Sequence, residues 1–511
     1  MEEWSLSLCF TAASTLLALL FVWLTGGKGK PAVKRQLPPG PWTLPVIGSL
    51  HHVVSILPHR RMMDMSRRHG PLMHLTLGEV PTVIVSSAEA AALVMKTNGL
   101  TFAGRPCSAT LDIFGCGGKG IVFAPYSDHC RQMRKLCNLE LLSTKQVKQT
   151  EGIRAEEVGN LLRSITASNG AIVNVSKMVA ALSNNVVTRA VFGGRFAKQD
   201  EYLRELDEAL VLVGGFCLVD LFPSSLLVRW LSNGERRMRR CQGRIQGFIS
   251  SIIDERKAAR TAGNGACSTH DGNLLDVLLR LQQENTLEYP LTTESIGAIL
   301  FDLFAGGTET TGNVLAWAMS ELMRSPNIMA KAQKEVHELL CEGRDLITTG
   351  DLSELHYMRK IIKEVLRLHP PGPLIPRMAT EDCTVMGYDI PKGTVVHINV
   401  LAISQDPTYW NNPEEFRPER FDNNNVNYNG TYFEFIPFGA GRRQCPGIQF
   451  GSFVIEMALA NLLYHFNWML PDGVSPASLD MSEKFAIAVS RRHDLKLRAT
   501  PCVWFKAMLP K

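Results

Sequence analysis

One short stretch narrows the choice of fold more than any other: residues 435–447, FIPFGAGRRQCPG. A single cysteine, Cys445, stands among Gly439, Gly441 and Gly447, with Arg442 and Arg443 close by. A cysteine kept for packing sits among apolar neighbours, where its thiol stays protonated and inert. Here two cations favour the thiolate, and Pro446 suits the first position of a helix, whose start carries partial positive charge. Glycines without a Cβ let the backbone approach something flat and large. The fold is therefore expected to hold a charged sulfur against a bulky partner.

The remaining composition excludes several classes. The chain has 511 residues, 45% hydrophobic and 20% charged, which is ordinary for a globular protein. A net charge of +5, from 54 basic and 49 acidic residues, is too mild for a nucleic-acid partner. The 12 cysteines include no Cys-x-x-Cys pair, so neither a zinc ribbon nor a thioredoxin-type site is supported. Their scatter does not resemble a disulfide framework, and reduced cytosolic thiols are expected.

Residues 6–24, LSLCFTAASTLLALLFVWL, carry no charge, and as a helix they would span about 28 Å, close to the hydrocarbon core of a bilayer. A cleaved signal peptide would start basic and have a shorter apolar core. This chain starts with Glu2 and Glu3, while Lys28, Lys30, Lys34 and Arg35 follow the apolar run, which places the C-terminal side in the cytosol. Residues 1–27 are thus expected to form an uncleaved single-pass membrane anchor. Residues 28–41, basic and proline-rich, form a stiff hinge, and residues 42–511 the body.

Apolar spacing of three and four predicts helices in AEEVGNLLRSI, IQGFISSIIDERKA, LLDVLLRLQQE, NIMAKAQKEVHELL and IEMALANLLYHF. Alternation predicts strands in LMHLTL, TVIVSS, TVMGYDI and TVVHINV. A surface loop is expected from Lys257, and the whole body reads as one mainly helical domain with small sheets. GCGGKG, residues 115–120, matches a dinucleotide fingerprint, but IVFAPYSD follows where a helix is required, so a flexible loop is expected. Without a nucleotide motif, any electrons must come from another protein.

Three more signals carry chemistry. FDLFAGGTETTGNVLAWAMSEL, residues 301–322, reads as a buried helix, yet its centre holds Gly306, Gly307, Thr308, Glu309, Thr310 and Thr311. Glycine and threonine weaken a helix interior, and a buried glutamate is costly unless used or paired. Either a helix starts at a threonine cap here, or a local distortion binds a small molecule and relays protons. IGAILFDLFA just upstream, already helical in pattern, argues against the first. In KEVLRLHPP, Glu364 and Arg367 share one face of a helix that Pro370 and Pro371 end. On the surface that pair would carry little weight; in FRPERF, Arg420 would complete a buried Glu–Arg–Arg cluster if the pair is instead inside.

Together these stretches resemble the cytochromes P-450, haem-thiolate monooxygenases. Phe438, Gly441, Arg443, Cys445 and Gly447 fit the haem-loop pattern F-x-x-G-x-R-x-C-x-G, and residues 306–311 fit the oxygen-binding helix, [AG]-G-x-[DE]-T-[ST]. Glu364 and Arg367 fit E-x-x-R, and residues 418–421 fit P-E-R-F. The order and spacing agree from the anchor onward, and the resemblance is nearest to plant microsomal enzymes of specialised metabolism. One position departs: Cys130 stands where the family's W-R-x-x-R helix has tryptophan, while Arg134 remains.

The resemblance implies the mainly α cytochrome P-450 fold with small β-sheets, behind one transmembrane helix in the endoplasmic reticulum membrane, its body facing the cytosol. It implies haem b with the Cys445 thiolate on iron, Arg134, Arg377 and Arg443 on the propionates, and Phe438, Gly441 and Gly447 shaping the haem loop. Without tryptophan at position 130, weaker haem retention is expected. Thr310 and Glu309 would serve oxygen activation and proton delivery, and Glu364, Arg367 and Arg420 would be structural. Electrons from NADPH would arrive through a separate reductase, docked on a face including Arg131, Lys135 and Arg442. Ile113, Phe114, Phe301, Gly306, Leu374, Ile375 and Ile487 would line a pocket without placed charge. Such a pocket suits a lipophilic substrate, a terpenoid and within that class a diterpenoid, with a phenylpropanoid or flavonoid as the alternative. An isomerase or dehydratase needs neither O2 nor reductase, and Glu309 with Thr310 argues against it. A haem sensor would need neither the oxygen-helix pattern nor E-x-x-R.

Overall fold

The computed structural model describes residues 35–196, 198–214, 217–261, 273–339, 344–422 and 424–502. The expected anchor and the first part of the hinge lie outside them. Among the described residues no helix is long and apolar enough to cross a membrane. Labelling only helices of ten residues or more, the chain runs α1 (Pro58–His69), β1 (Leu72–Leu77), β2 (Val80–Val85), α2 (Asp128–Cys137), α3 (Glu151–Thr166), β3 (Ile172–Asn174) and α4 (Val175–Phe192). It continues with α5 (Gln199–Gly214), α6 (Gly234–Thr261), α7 (Leu274–Glu284), α8 (Thr293–Arg324), α9 (Pro326–Leu339), α10 (His356–Leu368), β4 (Leu374–Met378), β5 (Cys383–Val385), β6 (Tyr388–Ile390) and β7 (Val395–Asn399). The last elements are α11 (Ile448–His465), β8 (Phe466–Met469), β9 (Glu483–Lys484), β10 (Ser490–Arg491) and β11 (Lys496–Pro501).

The fold is organised on α8. Its 32 residues span about 48 Å at the helical rise. Thr292 caps it, its side chain accepting from the Ser295 N–H. Apolar residues surround most of its length, so it is buried between α4, α10 and α11 rather than laid on the surface. Small residues set how closely α4 approaches. A Cβ added at Gly307 would stand 2.8 Å from Val187 Cγ2, and one at Gly312 would stand 3.1 Å from Ala180 Cα. The helix continues unbroken through residues 306–311, so the expected distortion is not observed, and no new helix starts at a threonine there.

The main sheet has the order β1-β2-β7-β4. β1 and β4 pair antiparallel with their neighbours, while β2 and β7 run parallel, with Ile84 opposite His397. A second sheet has the order β3-β11-β8. Two predictions need correction. TVMGYDI is not one strand but the hairpin β5–β6, because Met386 and Gly387 turn the chain with φ of 51° and 82°. The loop expected from Lys257 does not begin there, since α6 stays helical to Thr261, and nearly all the rest of that stretch lies outside the described residues.

Candidate active site

The loop before α11 brings Cys445 to a defined place. The Cys445 N–H donates to the Phe438 carbonyl at 3.0 Å, and the Gln444 N–H to the Gly441 carbonyl at 3.0 Å. Gly439 and Gly441 have φ of 68° and 67°, and a Cβ at Gly441 would collide with the Met95 carbonyl. The Cys445 side chain is accessible, yet it lies deep enough for burial to raise its thiol above the ordinary range. Both observations hold if the sulfur lines an internal cleft.

The charge acting on Cys445 does not come from the expected Arg442 and Arg443. Arg443 turns its guanidinium to the carbonyls of Ala103 (3.0 Å) and Ala124 (2.6 Å), and Arg442 reaches Tyr126. Burial acts most strongly on the sulfur, opposed by the Gly447 N–H and by Arg134 on α2. Helix α11 starts at Ile448 with Gly447 as its cap, so Pro446 precedes the helix rather than opening it. In the protein alone burial wins; a metal ion on Sγ would reverse that outcome, because a coordinating thiol is deprotonated.

Four arginines converge beside this loop. Burial, then Arg443 and Arg134, lowers Arg105 to about 9. Burial and the charges of Arg105, Arg443 and Arg134 hold Arg377 well below its ordinary value. The Arg377 Nη2 is buried without a hydrogen-bond partner. Arg134 donates to the Gln444 carbonyl at 2.7 Å, and Arg105 to the carbonyls of Val122 (2.8 Å) and Pro376 (2.6 Å). Cys130 is fully buried, with Sγ 3.5 Å from Arg443 Nη1. Cations that meet carbonyls and one another, rather than carboxylates, make a site for an anion. Arg105 was not foreseen, because its stretch carries no motif.

On α8, Gly306 is exposed, and nothing lies within 4 Å of where its Cβ would be. One turn on, the Thr310 hydroxyl donates to the Gly306 carbonyl at 2.7 Å. Burial, then the charge of Asp207, raises the half-buried Glu309, whose Oε1 has Asn313 Nδ2 at 3.5 Å. A hydroxyl and an acid of raised pKa therefore adjoin an open stretch of helix. Leu374 and Ile375 on β4 and Ile487 are half-buried, whereas Ile113, Phe114 and Phe301 belong to the core, the two rings stacked at 6.5 Å. Asp207 and Lys484 both act on Glu309, charges that the apolar reading of the pocket did not include.

The Glu–Arg–Arg cluster shares none of these contacts. Glu364 accepts from Arg367 at 2.7 and 2.9 Å and from Arg420 at 2.8 Å. Arg367 also donates to the carbonyls of Ser404, Pro413 and Glu415.

An accessible thiol whose pKa burial raises, cations short of anions, and an open helix face with a hydroxyl and an acid fit a metal macrocycle that carries carboxylates and takes a sulfur ligand. A haem held by a thiolate is such a group. The chain belongs to the cytochrome P-450 family, whose description matches residues 38–495. It is 44% identical over 498 residues to desmethyl-deoxy-podophyllotoxin synthase of Sinopodophyllum hexandrum, covering 96% of this chain and 97% of the relative. It is 45% identical over 495 residues to ent-cassadiene hydroxylase of Oryza sativa subsp. japonica, covering 94% and 95%. A zebra fish cytochrome P-450 solved with abiraterone superposes with a TM-score of 0.75 at 25% identity, covering 88% of this chain and 100% of that one. The protein is a cytochrome P-450 monooxygenase, and its membership implies a haem-thiolate cofactor, a reductase partner and a small-molecule substrate.

Proposed function

We propose that this enzyme hydroxylates a lipophilic plant metabolite, a terpenoid and within that class a diterpenoid, with O2 and with electrons from NADPH through a separate reductase. The observation that carries the reading is the likeness to ent-cassadiene hydroxylase along nearly the whole of both chains. Half-buried Leu374, Ile375 and Ile487 support an apolar ligand.

Cys445 holds the iron of haem b, and Arg134, Arg377 and Arg443, joined by Arg105, hold its propionates. Phe438, Gly441 and Gly447 shape the loop around the ligand. Haem bound there supplies oxygen activation, favoured by electron donation from the sulfur. Gly306 leaves room beside α8, Thr310 offers a hydroxyl at that opening, and Glu309 passes protons inward. A glutamate of raised pKa suits this role, since it exchanges a proton nearer neutral pH than an ordinary carboxyl group. Glu364, Arg367 and Arg420 are structural, and Cys130 in place of tryptophan weakens haem retention.

Residues 6–24 anchor the enzyme in the endoplasmic reticulum membrane, the body facing the cytosol. Leu226, Leu227, Trp230 and Leu231, all exposed, support contact with lipid. Just before them the Leu221 carbonyl accepts from the Glu79 N–H, in the turn between β1 and β2. Arg131, Lys135 and Arg442 line a cleft of about 310 Å³ that suits an acidic reductase surface.

The reading is tested by incubating membranes holding the full chain and a plant reductase with NADPH and diterpene hydrocarbons. A product heavier by one oxygen atom is expected, dependent on both NADPH and O2. Turnover of phenylpropanoids or flavonoids alone would replace the substrate class, and conversion without NADPH would indicate an isomerase.

A further inference from the structure

The GCGGKG stretch and the buried carboxylate of Asp302 have no role in the reading above, yet the structure joins them. Asp302 lies on α8, one turn before Gly306, and is 5% exposed. Its Oδ2 accepts from the backbone N–H of Ile121 at 2.6 Å and from that of Val122 at 2.9 Å. Gly120, the last residue of the stretch, precedes both donors, and a Cβ there would collide with Asp302 Oδ2. The glycine therefore lets the chain close over the carboxylate. Upstream, Cys116, Gly117 and Gly118 turn the chain with φ of 51°, 63° and 80°.

Past this clamp the same segment reaches two of the four arginines. The Val122 carbonyl accepts from Arg105 Nε at 2.8 Å, and the Ala124 carbonyl accepts from Arg443 Nη2 at 2.6 Å. Arg105 goes on to the Pro376 carbonyl, beside Arg377. One carboxylate on the helix that lines the reaction space thus holds the backbone whose carbonyls hold two cations. GCGGKG is neither a nucleotide loop nor a free one.

We propose that Asp302 is a positioning residue which, through residues 120–124, sets the guanidinium groups of Arg105 and Arg443 for the haem carboxylates and so governs haem retention. This rests on the reading of those arginines as the propionate-binding set.

The test is the rate at which the full-length, detergent-solubilised holoprotein passes haem to excess apomyoglobin. Arg105→Gln comes first: unchanged transfer there would overturn the arginine reading itself, and the proposal with it. Given fast transfer for that variant, Asp302→Ala is expected to accelerate transfer about tenfold or more, the scale of lost hydrogen bonds to a charged group. Asp302→Asn keeps an acceptor for both N–H groups and is expected to stay within about threefold of the unaltered chain. Gly120→Ala, with the carboxylate intact, is expected to accelerate transfer as well. Combined with Asp302→Ala it should add less than its separate effect, because removing the carboxylate makes room for the methyl group. Unaltered transfer for Asp302→Ala would overturn the proposal, as would independent effects of the two substitutions. If Asp302→Ala yields no holoprotein, Gly120→Ala decides alone: fast transfer supports the clamp and unaltered transfer overturns it.

Discussion

Glu364 and Arg367 form a two-point ion pair sealed from solvent, with Nε to Oε2 at 2.7 Å, Nη2 to Oε1 at 2.9 Å, and both side chains 0% exposed. The remaining donors of Arg367 meet backbone carbonyls of residues 404, 413 and 415, so one guanidinium ties α10 to the chain leading toward the Cys445 loop. Removing one partner leaves a buried charge without compensation, a loss of about 3–5 kcal/mol. Glu364→Gln is therefore expected to lower the unfolding midpoint sharply and to reduce the yield of haem-loaded protein. Arg367→Lys should do the same, since a lysine cannot reproduce the two-point pair together with the carbonyl contacts. Thermal unfolding with haem quantitation checks both.

Adjacent glycines on α8 should respond in opposite ways to a methyl group. Gly307→Ala drives a Cβ against Val187 and should cost roughly 1–3 kcal/mol, partly recovered by adding Val187→Ala. Gly306→Ala meets nothing within 4 Å and should leave stability equal or raise it by up to about 1 kcal/mol through helix propensity. Its methyl group enters the opening, so weaker substrate binding is expected from substrate-induced spectral titration.

Thr310 and Glu309 should separate electron use from product. Thr310→Ala removes the hydroxyl beside Gly306, and product per NADPH is expected to fall about tenfold or more while NADPH consumption continues. Glu309→Gln should slow turnover and flatten its pH profile. Parallel assays of NADPH, peroxide and product check the split.

Much of the candidate site was legible in the sequence, because it sits in short runs whose spacing is local. The Cys445 loop, the Glu309–Thr310 pair and the Glu364–Arg367 face are of this kind. Arg105 and Asp302 were not, since each is a lone charged residue whose partners come from distant segments. The direction of Arg443 was hidden for the same reason: it turns to Ala103 and Ala124, more than 300 residues earlier in the chain. Helices with a strong apolar period were placed well, whereas TVMGYDI hid a hairpin because Met386 at positive φ carries no sequence signal.

Acid should weaken a specific contact between the main sheet's neighbourhood and the C-terminal hairpin. Burial opposes ionisation of Glu483, but hydrogen bonds from Arg60 (2.7 Å) and His59 (3.2 Å) prevail and hold its pKa down to about 2. Its folded pKa lies below the unfolded value of 4.5, so the stability it brings is present above that value and lost as pH falls toward about 2. The contribution is on the order of 3 kcal/mol. Glu483→Gln is expected to be less stable than the unaltered chain at pH 6, with the difference shrinking as the medium is acidified; denaturant unfolding at several pH values reads it.

The most direct test of the account is the carbon monoxide difference spectrum of the reduced, full-length protein in membranes. Cys445 on the iron predicts the strongly red-shifted Soret band of thiolate-ligated haem, absent from Cys445→Ala. A band at the histidine-like position in the unaltered chain, or a red-shifted band that survives Cys445→Ala, would contradict it.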